Sequence, residues 1–316
     1  MKRIIFIFSL ILFITTSLFG AGIREERNSI KEKPFAENFD ESAIPAGAGS
    51  SVWKVTKNGN TLFLGGSIHM LREKDFPLPE EFDYAFLNSD VLVLEADIER
   101  MNDPEIMQYM ISQMLLPEGV SIHSLLDPEI YDHLTEVCAY YSIPIFSVAQ
   151  IKPSMVVTML SMLQIEELGF QEKGIDDYFL EIAKQEKKLV IFLESVQAQI
   201  DMLTSLGEGY ENEYVSYSLM DMEHTEDVLE MTVFEWRYGL TGTNEESLLE
   251  MRDEWPQMYK TLITNRHDAW MPQIEKFIAS GKVHFVIAGL FHMHGPDGLR
   301  QRLEKSGYSI EHVVIK

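Results

Sequence analysis

The chain has 316 residues, 46% of them hydrophobic, and a formal charge of -24. That suffices for one large domain or two small ones with a sizeable core, and the acidic balance argues against a nucleic-acid backbone or an anionic membrane surface as partner. The single cysteine, Cys138, excludes an internal disulfide.

Residues 1–22 read as a signal peptide: Lys2 and Arg3 precede an apolar run over 4–13, and Gly20, Ala21 and Gly22 offer a cleavage site. The run is short of the about 20 residues that a transmembrane helix needs, although an uncleaved anchor is the alternative. Residues 23–50 mix charges with Ser, Ala, Gly and Pro and predict a flexible lead-in. Residues 53–55 and 61–64 flank Asn58-Gly59-Asn60 and predict a hairpin. Its second strand runs into Gly66-Ser67-Ile68-His69. A helix over 79–88 precedes the apolar run Val91–Leu94, which ends at Glu95.

Residues 104–206 read as largely helical. Asp127 and Pro128 mark a helix start; Leu134, Val137 and Tyr141 follow at helical spacing, with Cys138 as a small buried apolar group. The Met-rich helix over 154–168 reads as core filler. An amphipathic helix over 174–184 leads to an apolar strand, 189–193, that ends at Glu194. Residues 211–262 are acidic and helical, with a loop at 239–244. A helix over 265–280 stops at Gly281. Residues 285–288 form a buried strand; Gly289, His292 and His294 follow, and Gly295-Pro296-Asp297-Gly298 turns the chain into a helix. A last strand is expected at 309–315.

This order predicts an α/β (α+β) fold: a largely parallel central sheet built around two Gly-x-x-His strand ends, with a substantial helical insertion or cap at about 104–262 of a domain spanning 51–316. Four strands end on polar groups: His69, Glu95, Glu194 and His292. Ligands of open α/β sheets bind beyond the carboxyl ends of strands. A carboxylate after a buried apolar run is costly unless solvated, paired or metal-bound. Carboxylate with imidazole suits Zn, Mn, Co or Fe rather than Ca. Glu95 is a ligand, a general base or half of a buried salt bridge; Glu194 belongs to the site or to the N-terminus of the next helix. Ser67 and His69 could pair, but the nucleophile-elbow context is missing. The chain holds no His-Glu-x-x-His and no phosphate-binding Gly-rich loop.

Together, Gly66-Ser67-Ile68-His69, Val91-Leu92-Val93-Leu94-Glu95, Ala288-Gly289-Leu290-Phe291-His292 and Gly295-Pro296-Asp297-Gly298-Leu299 resemble the TraB/GumN family, which includes the Tiki metalloproteases. The resemblance runs from about residue 53 to about 314. It implies an α/β domain with two Gly-x-x-His motifs and an acidic residue around a divalent-metal hydrolytic site. Here that means His69, His292 and Glu95 as ligands of Mn, Co or Zn, with Glu194 in the site wall and Gly66, Gly289 and His294 around the ligands. Arg266, in Thr264-Asn265-Arg266-His267, resembles an arginine of the family's late helix; it would hold an oxyanion or carboxylate, or lie on the surface. Animal Tiki members are membrane-tethered and cleave secreted Wnt proteins, but substrate identity does not carry over. The expectation is an exported metal-dependent hydrolase acting on a peptide or protein, with no nucleic-acid partner and a membrane contact only through an uncleaved signal. A haem- or metal-binding protein, or an esterase, is the alternative, since the ChaN and erythromycin-esterase scaffolds are distantly similar. His123, His133, His224, His267, His284 and His312 read as structural or surface residues.

Overall fold

The computed structural model describes residues 49–315, so the expected signal segment and nearly all of the lead-in lie outside the described residues. A hairpin comes first: β1 (Val52–Lys57) and β2 (Asn60–Ser67), turned by Asn58 and Gly59 at positive φ. Next come β3 (Met70–Leu71), α1 (Glu80–Leu87) and β4 (Val91–Leu94). The helical stretch holds α2 (Pro104–Met114), α3 (Ile122–Leu125), α4 (Pro128–Tyr140) and α5 (Pro153–Glu167). Then follow β5 (Glu172–Lys173), α6 (Ile175–Gln185), β6 (Leu189–Phe192) and α7 (Val196–Thr204). A second helical stretch holds α8 (Glu211–Asp221), α9 (Thr225–Tyr238), α10 (Gly242–Glu254), α11 (Pro256–Tyr259) and α12 (Asn265–Ala279). The chain closes with β7 (His284–Gly289), α13 (Leu299–Lys305) and β8 (Ser309–His312).

Six strands form one sheet in the order β6-β4-β7-β2-β1-β8. The four strands β6, β4, β7 and β2 run parallel, while β1 is antiparallel to both β2 and β8. The largely parallel sheet expected from the sequence is thus present. Its central runs are continuously apolar because both faces are covered. On one face Leu62, Leu64, Val93 and Val286 meet Trp270 and Ile274 of α12 and Leu303 of α13. On the other, Phe63 and Phe285 meet Phe82 of α1 and Phe179 of α6, and this core continues into the helical stretches. Cys138 is fully buried there, its thiol pushed up to about 11 by desolvation, which makes it a poor nucleophile.

Two expectations need correction. The loop at 239–244 is shorter: Gly239 takes a left-handed φ of 61° at the end of α9, and α10 starts at Gly242. The final strand stops at His312, after which only Val313 N–H bonds back to Val52 O. Among the described residues no helix is long and apolar enough to cross a membrane.

Candidate active site

Parallel pairing brings the carboxyl ends of four strands to one edge. Ser67 of β2 stands opposite Gly289 of β7, and Leu94 of β4 opposite Phe192 of β6. Pairing of β4 with β6 runs on past both strands: Glu194 N–H donates to Glu95 O at 2.9 Å. The two acidic residues are therefore neighbours. After Gly289 the chain makes a short 3-10 turn, Leu290–Met293, which carries His292 back over the sheet end.

Gly289 marks the centre. A Cβ built on it would lie 3.4 Å from His69 Nε2, 3.5 Å from Glu95 Oε1 and 3.5 Å from His292 Cδ2. Atoms of three predicted residues thus converge on one point, His292 by a ring carbon, and the bare α-carbon puts no side chain there. Gly289 N–H also donates to Glu95 Oε1 at 2.6 Å. Gly66 lies one layer back, its carbonyl accepting from Trp236 Nε1 at 3.0 Å.

His69 is held from behind. Its Nδ1 donates to Asp176 Oδ2 at 2.6 Å, which turns Nε2 toward the centre. Asp176 reaches it because Gly174 crosses the backbone of His69 at the start of α6. A Cβ on Gly174 would stand 2.3 Å from the His69 carbonyl, and Ile175 N–H donates to Ile68 O. Ser67 Oγ lies 3.4 Å from the same Nδ1 that Asp176 occupies, not beside Nε2, so the Ser67–His69 pairing has the wrong nitrogen for an activated nucleophile.

Arg266 is buried, not on the surface. It ion-pairs with Glu95 and takes Glu194 in a fork, Nε to Oε2 at 3.2 Å and Nη2 to Oε1 at 2.7 Å. Trp270, one turn on along α12, packs under the guanidinium at 4.5 Å and donates Nε1–H to Glu194. A π-helical turn, Lys260–Thr264, directly precedes α12, whose second residue is Arg266; such turns are frequent at functional sites. Desolvation works against the Arg266 charge, but Glu95 and Glu194 outweigh it and its pKa is raised. For Glu95 burial is the largest influence and pushes the carboxyl up, against the pull of Arg266 and His69.

The proton positions along the histidines follow from Arg266, which can only donate. Its Nη1–H donates to His292 Nε2 at 2.7 Å, so His292 carries its proton on Nδ1. That proton goes to His267 Nε2 at 2.9 Å, and His267 Nδ1–H goes to the Asp297 carbonyl at 2.7 Å. Burial holds both rings neutral: His267 falls to about 3 and His292 well below its ordinary value. His294 is not brought in with them. It is buried against the edge of Trp53, both ring nitrogens without a partner, and desolvation lowers it to about 3.

His69, Glu95, Glu194, Arg266 and His292 therefore meet at one place. Sequence reading missed Asp176, whose only signal was its position in the acidic first turn of α6, and it left His267 among structural or surface residues, although that ring is fully buried against His292. As a cation site, the donor chemistry fits. The 3.8 Å between His292 Nε2 and Glu95 Oε1 is near the about 3.4 Å that separates two donors of one tetrahedral ion, and His69 has the carboxylate behind it that metal-binding histidines commonly have. Yet among the described residues no three such groups stand ready to hold an ion as now arranged. At His292 the reason is direct: Arg266 holds the Nε2 lone pair.

A family model described as the TraB/PrgY/gumN family matches residues 51–312. The chain is 28% identical over 257 residues to the uncharacterized protein YbaP of Escherichia coli K12, covering 79% of this chain and 90% of that protein. It is 28% identical over 245 residues to YbaP of Shigella flexneri, covering 75% and 86%. No solved structure matches. With the match extending over nearly the whole described region, from the first strand to the last, the chain belongs to the TraB/PrgY/gumN family.

Proposed function

We propose that this chain is an exported, divalent-metal-dependent hydrolase that cleaves peptide bonds. One observation carries the reading: His69 Nε2, Glu95 Oε1 and the Cδ2 edge of the His292 ring lie within 3.5 Å of the point where a side chain on Gly289 would begin. The residues that would hold Mn, Co or Zn are His69, Glu95 and His292. When bound, such an ion polarises a carbonyl and makes hydroxide available near neutral pH. Asp176 keeps the His69 proton on Nδ1 and the ring in place. As a ligand Glu95 would present Oε1, which Gly289 N–H holds in place, while Oε2 stays on Arg266. Arg266 would release His292 Nε2 on loading and keep its fork on Glu194, close enough for its Nη1–H to meet developing negative charge on the substrate oxygen. Residues 1–22 supply the export signal, and native protein is expected to begin near residues 21–23; N-terminal sequencing that returns Met1 contradicts cleavage.

The test is cleavage of a peptide library by protein stripped with chelator and reloaded with Mn, Co or Zn. Cleavage should vanish on stripping and return on reloading. Cleavage indifferent to chelator, or none with any of the three metals, overturns the reading. A Soret band in the purified protein would favour a haem-binding role on this scaffold instead.

A further inference from the structure

Arg300 has no counter-ion, in a chain whose formal charge is -24. Every other described arginine donates to a carboxylate or a backbone carbonyl. Arg300, the second residue of α13, has no hydrogen-bond or ion-pair partner among the described residues, and its Nε is buried. Burial lowers its pKa, against the pull of Glu304 and Glu245, neither of which comes within ion-pair distance. A guanidinium held this way is costly unless an anion pairs with it.

Its surroundings are built. The guanidinium lies over the Trp53 ring at 4.5 Å. Trp53 Nε1–H donates to His312 Nε2 at 3.1 Å, and His312 Nδ1–H donates to the Ser50 carbonyl at 3.2 Å, so the ring is fixed from behind. The His294 ring meets the same Trp53 ring edge-on, with centroids 6.1 Å apart. His294 is 2% exposed, and neither of its nitrogens has a partner among the described residues. The Arg300 charge is felt at both His294 and His312, which puts the three side chains in one neighbourhood. The hydroxyl of Ser50 is also buried without a partner.

Donors are in surplus here. Arg300 only donates, a neutral imidazole keeps one N–H, and a hydroxyl has one O–H. Their complement is a group that only accepts. A carboxylate is such a group, and its planar shape matches the guanidinium fork in two parallel hydrogen bonds. A dianion such as phosphate fits less well, because Glu245 and Glu304 already act on Arg300. Trp53 and His294 are closed to solvent and Arg300 is half-buried, so the group must enter end-on.

We infer that Arg300, laid on Trp53 and flanked by His294, is a carboxylate-binding site. It is separate from the reacting centre, yet His294 follows His292 by two residues, at most about 7 Å of extended chain. Two sources share this chemistry: a small free acid, and the C-terminus of a peptide that also reaches the centre.

The test is saturation-transfer NMR on the full chain, metal-free at pH 7, so that its outcome does not depend on the hydrolase reading. The probes are acetate, N-acetylalanine, N-acetylalanine amide and inorganic phosphate, at constant ionic strength. Acetate and N-acetylalanine should bind, with the amide and phosphate at least about 10-fold weaker. Arg300→Gln and His294→Leu should each raise Kd for the acids on the order of 10-fold or more. Arg300→Lys, which keeps the charge but loses the fork, is the second variant if Arg300→Gln does not fold, with a loss of about threefold or more expected. N-acetylalanine binding about 10-fold or more tighter than acetate supports a peptide C-terminus as the source; comparable affinities support a small free acid. Acid and amide binding alike, phosphate binding tightest, no binding of either acid, or affinities that the Arg300 and His294 variants leave unchanged overturns the site.

Discussion

Arg266 and Gly289 are the two residues on which the site turns, one by its charge and the other by having no side chain. Arg266 neutralises two carboxylates in a place where neither is well hydrated. Arg266→Gln would leave Glu95 buried without its cation, at a cost of about 3–5 kcal/mol. For a chain of this size that means a melting temperature lower by roughly 6–15 °C. Millimolar Mn or Zn should return part of that loss in the variant, because the ion takes over the same carboxylates. A variant that melts like wild type would show that the ion pair with Glu95 is not what holds this corner together. At Gly289 an added Cβ meets only ordinary contact distances, so Gly289→Ala should fold with a melting temperature within about 2 °C of wild type. The methyl group would nevertheless sit between His69, Glu95 and His292. Loss of at least 100-fold in metal-dependent cleavage is expected, and normal turnover would move the reacting centre elsewhere.

At the scale of elements, α6 matters most for the site, and its approach depends on one residue. Gly174 passes over His69 so closely that a Cβ would strike backbone, which cannot swing aside. Gly174→Ala should lift the start of α6 and separate Asp176 from His69. The expected outcome is a lowered melting temperature together with a changed His69 ring resonance in NMR, since its Nδ1 proton loses the carboxylate; an unchanged His69 signal would contradict this route. Elements that deliver single residues to the sheet end were legible. The runs ending at His69, Glu95, Glu194 and His292 read as parallel strands because they are apolar and stop on a polar group, although the one before Glu194 is an edge strand, with Leu189 exposed and the rest half-buried. Arg266 was nominated by its resemblance to an arginine of the family's late helix, not by any local signal of its own. What stayed hidden depends on contacts between distant parts of the chain. Asp176 meets His69 across 107 residues, and nothing local separates it from an acid that merely suits a helix N-terminus. His267 lies in a sequence that fits a surface helix equally well. The β3–β5 ribbon is two residues long on each side, too short for any period to show.

Across the whole molecule, burying neutral histidines makes stability depend on pH. His267 and His294 titrate near 3 in the fold and near 6.5 when unfolded, and His292 is lowered as well. Below pH 6.5 the unfolded chain binds protons that the fold refuses. Their contribution is therefore complete above about pH 6.5 and is lost as pH falls toward 3, at up to roughly 1.4 kcal/mol per pH unit per ring. Asp177, pushed up to about 6 by burial and by Asp176, works in the opposite direction, and Glu95 shares that sign. Between pH 7 and pH 5 the metal-free protein should lose a net 2–4 kcal/mol, roughly. Urea unfolding at the two values measures it; greater stability at pH 5 would mean that these rings are not buried neutral.

The most direct measurement of the proposed function is anomalous diffraction from crystals of the protein loaded with Co or Mn. One ion should lie about 2.0–2.2 Å from His69 Nε2, from a Glu95 oxygen and from His292 Nε2, with Arg266 turned off His292 and still paired with Glu194. Crystals that show no ion at this point, with Arg266 still bonded to His292 Nε2 at saturating metal, would contradict it.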